Sequence, residues 1–280
     1  LTSKRYSQVE FVTASIRKEI TMSAETQTLD AQDLERRVKE MYREVAEEPH
    51  NEFHFETGRG LAERLGYPAG QLDAIPAEAI DSFAGVGYYF DLARIQPGET
   101  IVDLGSGSGM DSFIASRAAG ESGRVIGIDM TAAQIAKSRR LAAERGFTNA
   151  EFVDARIEQL PLPDASSDVV ISNGVINLSP DKAAVFAEAA RVLRPRGRLA
   201  LSDIVSSTQL PVGVTCDASL WAACIGGAMQ HDDYREAIEA AGFELDDLKE
   251  NDEYRFISER AENATKKYGV KSVSLLAIKQ

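Results

Sequence analysis

Apolar residues recur along the chain at two different periods, and the change of period divides it. Between Asp30 and Ala46, Leu34, Val38, Met41, Tyr42 and Val45 stand three or four residues apart, which predicts a helix with one apolar and one charged face. Tyr6 to Ile20 reads as a helix ahead of it. From Gln96 onward, short aliphatic runs alternate with helical stretches. Thr100–Leu104, Arg124–Asp129, Ala150–Val153, Asp168–Ser172 and Arg198–Val205 are predicted strands. The helices between them are predicted over Ser112–Ala119, from Thr131 to about Arg145, and over Lys182–Leu193. Thr131 with Gln134 has the form of a capping box, and Gly146 follows the helix end. Gly120–Gly123 and Arg194-Pro195-Arg196-Gly197 read as turns. Beyond them, Ala218–Ala228, Asp233–Ala241 and Ser258–Tyr268 read as helices and Val273–Lys279 as a last strand.

Apolar strands alternating with helices predict an α/β fold with both sheet faces covered. The expected architecture is a doubly wound, mostly parallel, seven-stranded Rossmann-like sheet with an N-terminal helical cap. Residues 1–75 would form the cap or an oligomerisation segment. Residues 76–205 would form the ligand-binding domain, and 206–280 the helices and last strands that complete the sheet and the substrate site. The apolar face of the N-terminal helices suits packing on the main domain, a mobile cap, or exchange between subunits of a homo-oligomer.

Composition narrows the partners. With 280 residues and 44% hydrophobic content, the chain can bury one substantial core and a smaller unit. A formal net charge of −13 repels phosphate backbones and anionic membrane surfaces, so neither nucleic acid nor membrane is an expected partner. The two cysteines, Cys216 and Cys224, give no disulfide framework and no zinc-type spacing, so no metal site is expected. No apolar run is long enough to span a bilayer, and Leu1–Thr21 lacks the apolar core of a signal peptide. A cytoplasmic protein is the expectation. Met22 heads a second plausible start, so the residues before it are expected to be a processed or unusual leader.

Candidate chemistry centres on Asp103-Leu104-Gly105-Ser106-Gly107-Ser108-Gly109, at the carboxyl end of the first predicted core strand. Gly105 and Gly107 would let backbone approach a ligand, and Gly109 would allow close packing where the helix begins. A dinucleotide loop needs glycine at position 110, where Met110 stands. Asp103 suits a ligand with a positive amino group, and loop N–H groups suit a carboxylate. S-adenosylmethionine has both. Asp129 ends the second strand, 129 − 105 = 24 residues after the first glycine, where a carboxylate accepts from a ribose diol. Met130 beside it could lie against an adenine ring, and Ser106 completes the loop's polar lining.

This constellation resembles the class I methyltransferases over Gln96 to Val205. The resemblance implies S-adenosylmethionine as methyl donor and a small-molecule acceptor. Glu158-Gln159-Leu160-Pro161 is similar to the family's segment after the third strand, which places Ile157 and Glu158 near the adenine. Many members carry an acidic residue where this chain has Arg156, so adenine recognition falls to Asp154, to Glu158, or to backbone at Ala155–Ile157. Ser172 and Asn173, at the end of the fourth strand, would border the sulfonium. Gly127-Ile128-Asp129-Met130-Thr131, the run from Ile171 to Lys182, and Leu220 to Ala228 resemble the arsenite methyltransferases more closely. That family supplies three site cysteines, and the matching positions here are Val86, Gly174 and Cys224, one cysteine of three. Arsenic(III) is thiophilic and needs clustered thiolates, so these replacements point to an organic, mainly apolar acceptor. Cys224 then reads as a small buried residue.

Two aromatic groups, Tyr88-Tyr89-Phe90 and Phe53-His54-Phe55, are expected near the acceptor. Tyr88 or Tyr89 could face a cation left by C-methylation of an alkene, such as an isoprenoid or other secondary metabolite. For an oxygen or nitrogen acceptor, His54 is the candidate base, ahead of His50 and His231. The rival expectations are an arsenite methyltransferase and a non-catalytic S-adenosylmethionine-binding protein.

Overall fold

A computed structural model describes residues 29–217, 221, 225–257 and 259–280. The predicted helix over Tyr6–Ile20 and most of the predicted helix over Ala218–Ala228 lie outside these residues. The first described helix, α1, runs Ala31–Glu47; the Asp30 carboxylate caps it, accepting from the backbone N–H groups of Gln32 and Asp33. Four short helices follow, α2 (Arg59–Arg64), α3 (Ala69–Leu72), α4 (Ala77–Asp81) and α5 (Phe90–Ala93), none of which the sequence pattern predicts. They are too short to show a period.

The α/β core then runs β1 (Thr100–Leu104), α6 (Met110–Ala119), β2 (Arg124–Asp129), α7 (Ala132–Arg145), β3 (Ala150–Asp154), β4 (Ser167–Asn173), α8 (Lys182–Val192) and β5 (Leu193–Ser206). Helix α6 begins at Met110, two residues earlier than predicted, because Gly109 in the left-handed region (φ 95°) starts it. No capping box forms on α7: the Asp129 carboxylate accepts from Thr131 N, while Gln134 bonds Ser108 and the Tyr42 carbonyl instead. The expected turn over Arg194–Gly197 is a bulge inside β5, since Ser167 pairs with Leu193 and Val169 with Arg198.

The tail contributes α9 (Val212–Thr215), the two-residue β6 (Met229–Gln230), α10 (His231–Ala240), β7 (Phe243–Glu250), α11 (Glu259–Tyr268) and β8 (Lys271–Lys279). Ile225 to Ala228 is a turn and not the end of a helix. A side chain on Gly227 would meet the Asn177 carbonyl at 1.8 Å, so only glycine lets this turn approach so closely. Strand β7 escaped the hydrophobic pattern because it is a sheet edge rich in charge, with most of its residues exposed.

The sheet order is β3-β2-β1-β4-β5-β8-β7, with β6 beside β5. The first five strands are parallel and β8 is antiparallel to both neighbours. The order reverses between β1 and β4, so the carboxyl ends of these two strands open a crevice at the topological switch point. Helix α1 packs on α7, and its Leu34 and Val38 share one apolar cluster with Val86, Leu178, Trp221 and Ile225. Residues 61–83 pack with α6 and α7 in another. Among the described residues, no helix is long and apolar enough to cross a membrane.

Candidate active site

The crevice opens into a cleft of about 1120 Å³, its mouth included, lined on one side by Asp103, Gly105, Ser106, Gly107, Asp129 and Met130. Ile157 and Glu158 from the loop after β3 and Asn173 from the end of β4 also line it. Of the predicted ligand-binding residues, Gly109 and Ser172 stand behind this lining. A side chain on Gly109 would strike Phe152 and Phe113 within 3.0 Å, and the Ser172 hydroxyl donates to the Leu104 carbonyl.

The glycine loop is held differently from the expectation. The N–H groups of Gly105 and Ser106 donate to the Ile128 carbonyl at 2.8 and 2.9 Å, and Gly109 N donates to the Ser106 carbonyl. Gly107 N donates to Asp129 Oδ2 at 3.0 Å. Those four groups therefore fix the loop and are not open to a ligand carboxylate. Asp129 in turn is a loop anchor, accepting from Gly107 N and Thr131 N, and also lines the cleft. By contrast, Ser106 lines the cleft with a buried hydroxyl that has no partner among the described residues. An orphaned hydroxyl beside a carboxylate-rich wall fits a polar, cationic ligand.

Burial pushes the Asp103 carboxyl up to about 8, with the nearby Asp111 charge adding to the effect; the Ser112 hydroxyl, 2.5 Å away, opposes it. Burial also raises Asp129, against the bonds from Thr131 and Gly107. Asp111 was not foreseen. It sits in the first turn of α6 and lines the cleft while Tyr67 Oη donates to its Oδ1 (2.8 Å) and Tyr89 Oη to its Oδ2 (2.7 Å). Asn173 Nδ2 lies 3.1 Å from the same carboxylate, 3.0 Å from Tyr67 Oη and 3.0 Å from the Gly87 carbonyl. Asn173 Oδ1 accepts from Val86 N at 2.8 Å, which ties the wall over residues 84–87 to the end of β4. The available signal was a charge on a helix otherwise buried almost all round.

The other wall is mostly apolar: Leu34, Val38 and Tyr42 from α1, Phe83 to Gly85 before α5, and Gly174, Val175 and Leu178 after β4. Val86 stands directly behind Gly174; a Cβ there would lie 3.1 Å from a Val86 methyl group. His54, Tyr88 and Tyr89 do not line the cleft. Tyr89 is fully buried against the sheet, and its hydroxyl is spent on Asp111. Tyr88 faces a second, shallower depression with Phe90 and Arg94. His54 packs edge-on to Phe55, whose ring stacks 6.0 Å from Tyr42. The aromatic rings that reach the cleft are those of Tyr42 and Phe83, brought there by α1 and by the chain after α4. Arg156 also lines the cleft and forms an ion pair with Glu35 of α1 and, at 3.5 Å, with Glu158. Cys224 lies outside the described residues, and Cys216 is not among the lining residues.

This geometry agrees with the comparisons. A family model described as a methyltransferase domain matches residues 95–242. The arsenite methyltransferase of Halobacterium salinarum is 42% identical over 205 residues, 73% of this chain and 52% of its own length. That of Aquipseudomonas alcaligenes is 42% identical over 166 residues, 55% of this chain and 48% of its own. The crystal structure of the arsenic(III) S-adenosylmethionine methyltransferase of Chlamydomonas reinhardtii superimposes with a TM-score of 0.65 at 30% identity, covering 80% of this chain and 74% of that one. The chain belongs to the class I S-adenosylmethionine-dependent methyltransferases. Within them it resembles the arsenite methyltransferases, although it spans about half the length of the curated relatives it matches.

Proposed function

We propose that this chain transfers a methyl group from S-adenosylmethionine to a small, neutral, mainly apolar organic acceptor. The observation that carries this reading is that Val86 and Gly174, at positions where the arsenite-methylating relatives are expected to hold thiols, lie side by side with no sulfur on either, a Cβ on Gly174 falling 3.1 Å from a Val86 methyl group. Without those thiolates the wall offers van der Waals contact and no soft ligand set. When bound, the donor supplies an electrophilic methyl group on a sulfonium. Asp103, Ser106, Asp129, Met130, Ile157 and Glu158 would hold it along one wall, with Asn173 bordering its reactive end.

The chain's contribution to transfer is positioning and exclusion of water. Leu34, Val38 and Tyr42 of α1 line the apolar wall and would set an acceptor against carbon there. Among the described residues the lining carries acidic side chains at Glu35, Asp111, Asp129 and Glu158, besides the protonated Asp103, against one cation, Arg156. That balance repels an anionic acceptor and favours a neutral one. No histidine lines the cleft among the described residues, so an acceptor needing no base at the first step fits best. C-methylation of an alkene carbon, as in an isoprenoid or another secondary metabolite, meets this condition. Tyr42 and Phe83 could face the developing cation.

The second reading is arsenite methylation, which the 42% identity to arsenite methyltransferases favours. Incubation with methyl-labelled donor and parallel acceptor pools separates the two. The pools are arsenite with thiol, neutral alkenes, alcohols and amines, with products identified by mass spectrometry. Label on an organic carbon is the expected result. Label on arsenic alone would overturn the organic reading, and label on oxygen or nitrogen would overturn the carbon version.

A further inference from the structure

We propose that Lys182 is a positioning residue of the acceptor wall: its buried ammonium holds, from behind, the turn that presents Leu178, Ser179 and Pro180 to the cleft. The inference rests on the proposed reading that the acceptor is neutral and lies against that wall. Lys182 opens α8 and is 5% exposed, a costly place for an ammonium. It is not among the residues that line the cleft, whereas the three residues of the turn are. Its Nζ donates to the carbonyls of Asn177 and Ser179 at 3.1 and 3.0 Å. The turn's own bonds, from Leu178 N and Ser179 N, run to the carbonyls of Val175 and Ile176. The ammonium therefore takes carbonyls that the turn does not use itself.

The same cation stands 4.7 Å from the centre of the Trp221 ring. Trp221 shares an apolar cluster with Leu34, Val38, Val86 and Leu178, and its Nε1 donates to the Thr215 carbonyl at 2.6 Å. One side chain thus joins the turn to the tail of the chain behind the acceptor wall. The Ser179 hydroxyl ties the same turn forward to the donor wall, donating to Glu158 Oε1 at 2.6 Å. Packing sets the volume of such a wall, and directed bonds set where that volume stands.

Among the described residues, the charge acting on Lys182 is that of Asp203 in β5, which is fully buried and accepts from Tyr234 Oη of α10 and from Ile204 N, each at 2.8 Å. Burial pushes Lys182 down to about 8, against the pull of Asp203. Burial pushes Asp203 up to about 6, against its bonds from Tyr234, Ile204 N and Asn177 N and the charge of Lys182. Between those limits both groups are charged. Above them the amine is neutral, its bonds to the two carbonyls lose their charge assistance, and the indole loses its cation. The turn should then loosen, and the acceptor's seat with it.

The test uses geraniol, an uncharged alkene, as the acceptor probe, with sinefungin, which has no methyl group to give, in the donor site. Trp221 is the sole tryptophan of the chain, so its emission reports on the ammonium beside it. In the wild type that emission should change in one step centred near pH 8, and calorimetric affinity for geraniol should fall about threefold over the same step. Geraniol does not titrate, so the loss belongs to the protein. In Lys182→Met the step should vanish, and at neutral pH geraniol should bind about threefold more weakly while sinefungin changes less than about twofold. Hydrogen exchange over residues 174–180 should quicken in the same variant. Lys182→Arg, which keeps its charge, should lose the step and retain the neutral-pH affinity. An emission step that persists in Lys182→Met, or geraniol affinity that stays level across the step in the wild type, would overturn the proposal. The wild-type profile decides it even if neither variant folds. Absence of geraniol binding with the emission step intact would instead remove the neutral-alkene reading on which the inference rests.

Discussion

The two walls of the cleft are built by different means. The donor wall comes from the ends of β1, β2 and β4 and the glycine loop, where backbone hydrogen bonds and buried carboxylates fix nearly every group. The acceptor wall comes from α1, residues 83–86 and residues 174–180, with Trp221 and Ile225 behind it, held mainly by side-chain packing. The first wall resists change because a shift breaks directed bonds. The second tolerates exchange of one apolar residue for another, because volume is the main requirement. A family can therefore keep its donor and change its acceptor, which is the change proposed for this chain beside its relatives.

The comparison would break most sharply at Gly105. A Cβ there would lie 2.5 to 2.7 Å from Val175 atoms, and φ is +71°. An alanine costs ~1–2 kcal/mol for the left-handed backbone and about 1–3 kcal/mol for overlap. Gly105→Ala should weaken donor binding by at least about thirty-fold in calorimetry. Gly60→Ala, in a helix with open space around it, should leave it unchanged.

Asp103 gives the next largest effect. Its carboxyl holds a proton up to about pH 8, and a ligand ammonium favours the ionised form. Between pH 6 and 8, donor affinity should rise by up to about tenfold per pH unit, with one proton released on binding. Calorimetry in buffers of different ionisation enthalpy measures both. The stability effect has the opposite sign. A carboxyl raised in the folded state stabilises below its usual range and loses that contribution as pH rises from about 4 to about 8. The Tm of the free protein should therefore fall across that window, and less so with donor bound. A flat affinity profile would show that Asp103 does not meet the ammonium.

On the acceptor wall the effects should be smaller and of another kind. Leu178 and Val38 are 6% and 3% exposed and line the cleft. Leu178→Ala and Val38→Ala should raise the acceptor KM several-fold and lower Tm, while donor Kd changes less than twofold. A donor Kd that moved with the acceptor KM would mean that the two walls are one unit.

The same contrast explains what could be read from the sequence. The donor wall is local in sequence: a strand, a glycine loop and an acid one strand later, each with its own pattern. The sheet was legible from its apolar strands, except for the two-residue β6, too short to show a period, and β7, whose charged edge hides it. The acceptor wall has no such pattern. Tyr88 and Tyr89 follow Val86 closely, yet the turn into α5 sends Tyr89 into the core and Tyr88 to another face. Tyr42 reaches the cleft because α1 packs on α7, and Phe83 because the chain after α4 packs on α6 and α7. Asp111 was hidden because its partners, Tyr67, Tyr89 and Asn173, are scattered over the chain and meet only in the fold.

Arg156 joins the two walls and gives the smallest effect. It follows β3 on the donor side, pairs with Glu35 of α1 on the roof, and stands 3.5 Å from Glu158. The guanidinium is about half exposed, with 47% of its side chain accessible, so solvent screening limits such a pair to roughly 0–1 kcal/mol. Arg156→Glu would replace attraction by repulsion between three carboxylates, at a cost of similar size. The roof should loosen without leaving, because Leu34, Val38 and the bonds from Gln134 and Lys137 to the Tyr42 and Ala46 carbonyls still hold α1. Hydrogen exchange over residues 31–47 should quicken about two- to fivefold, and the difference should shrink in 0.5 M salt as screening removes the repulsion (~0.5–1 kcal/mol at most). Exchange that is unchanged at low salt would show that packing alone seats the roof, and that the two walls are joined only through the core beneath them.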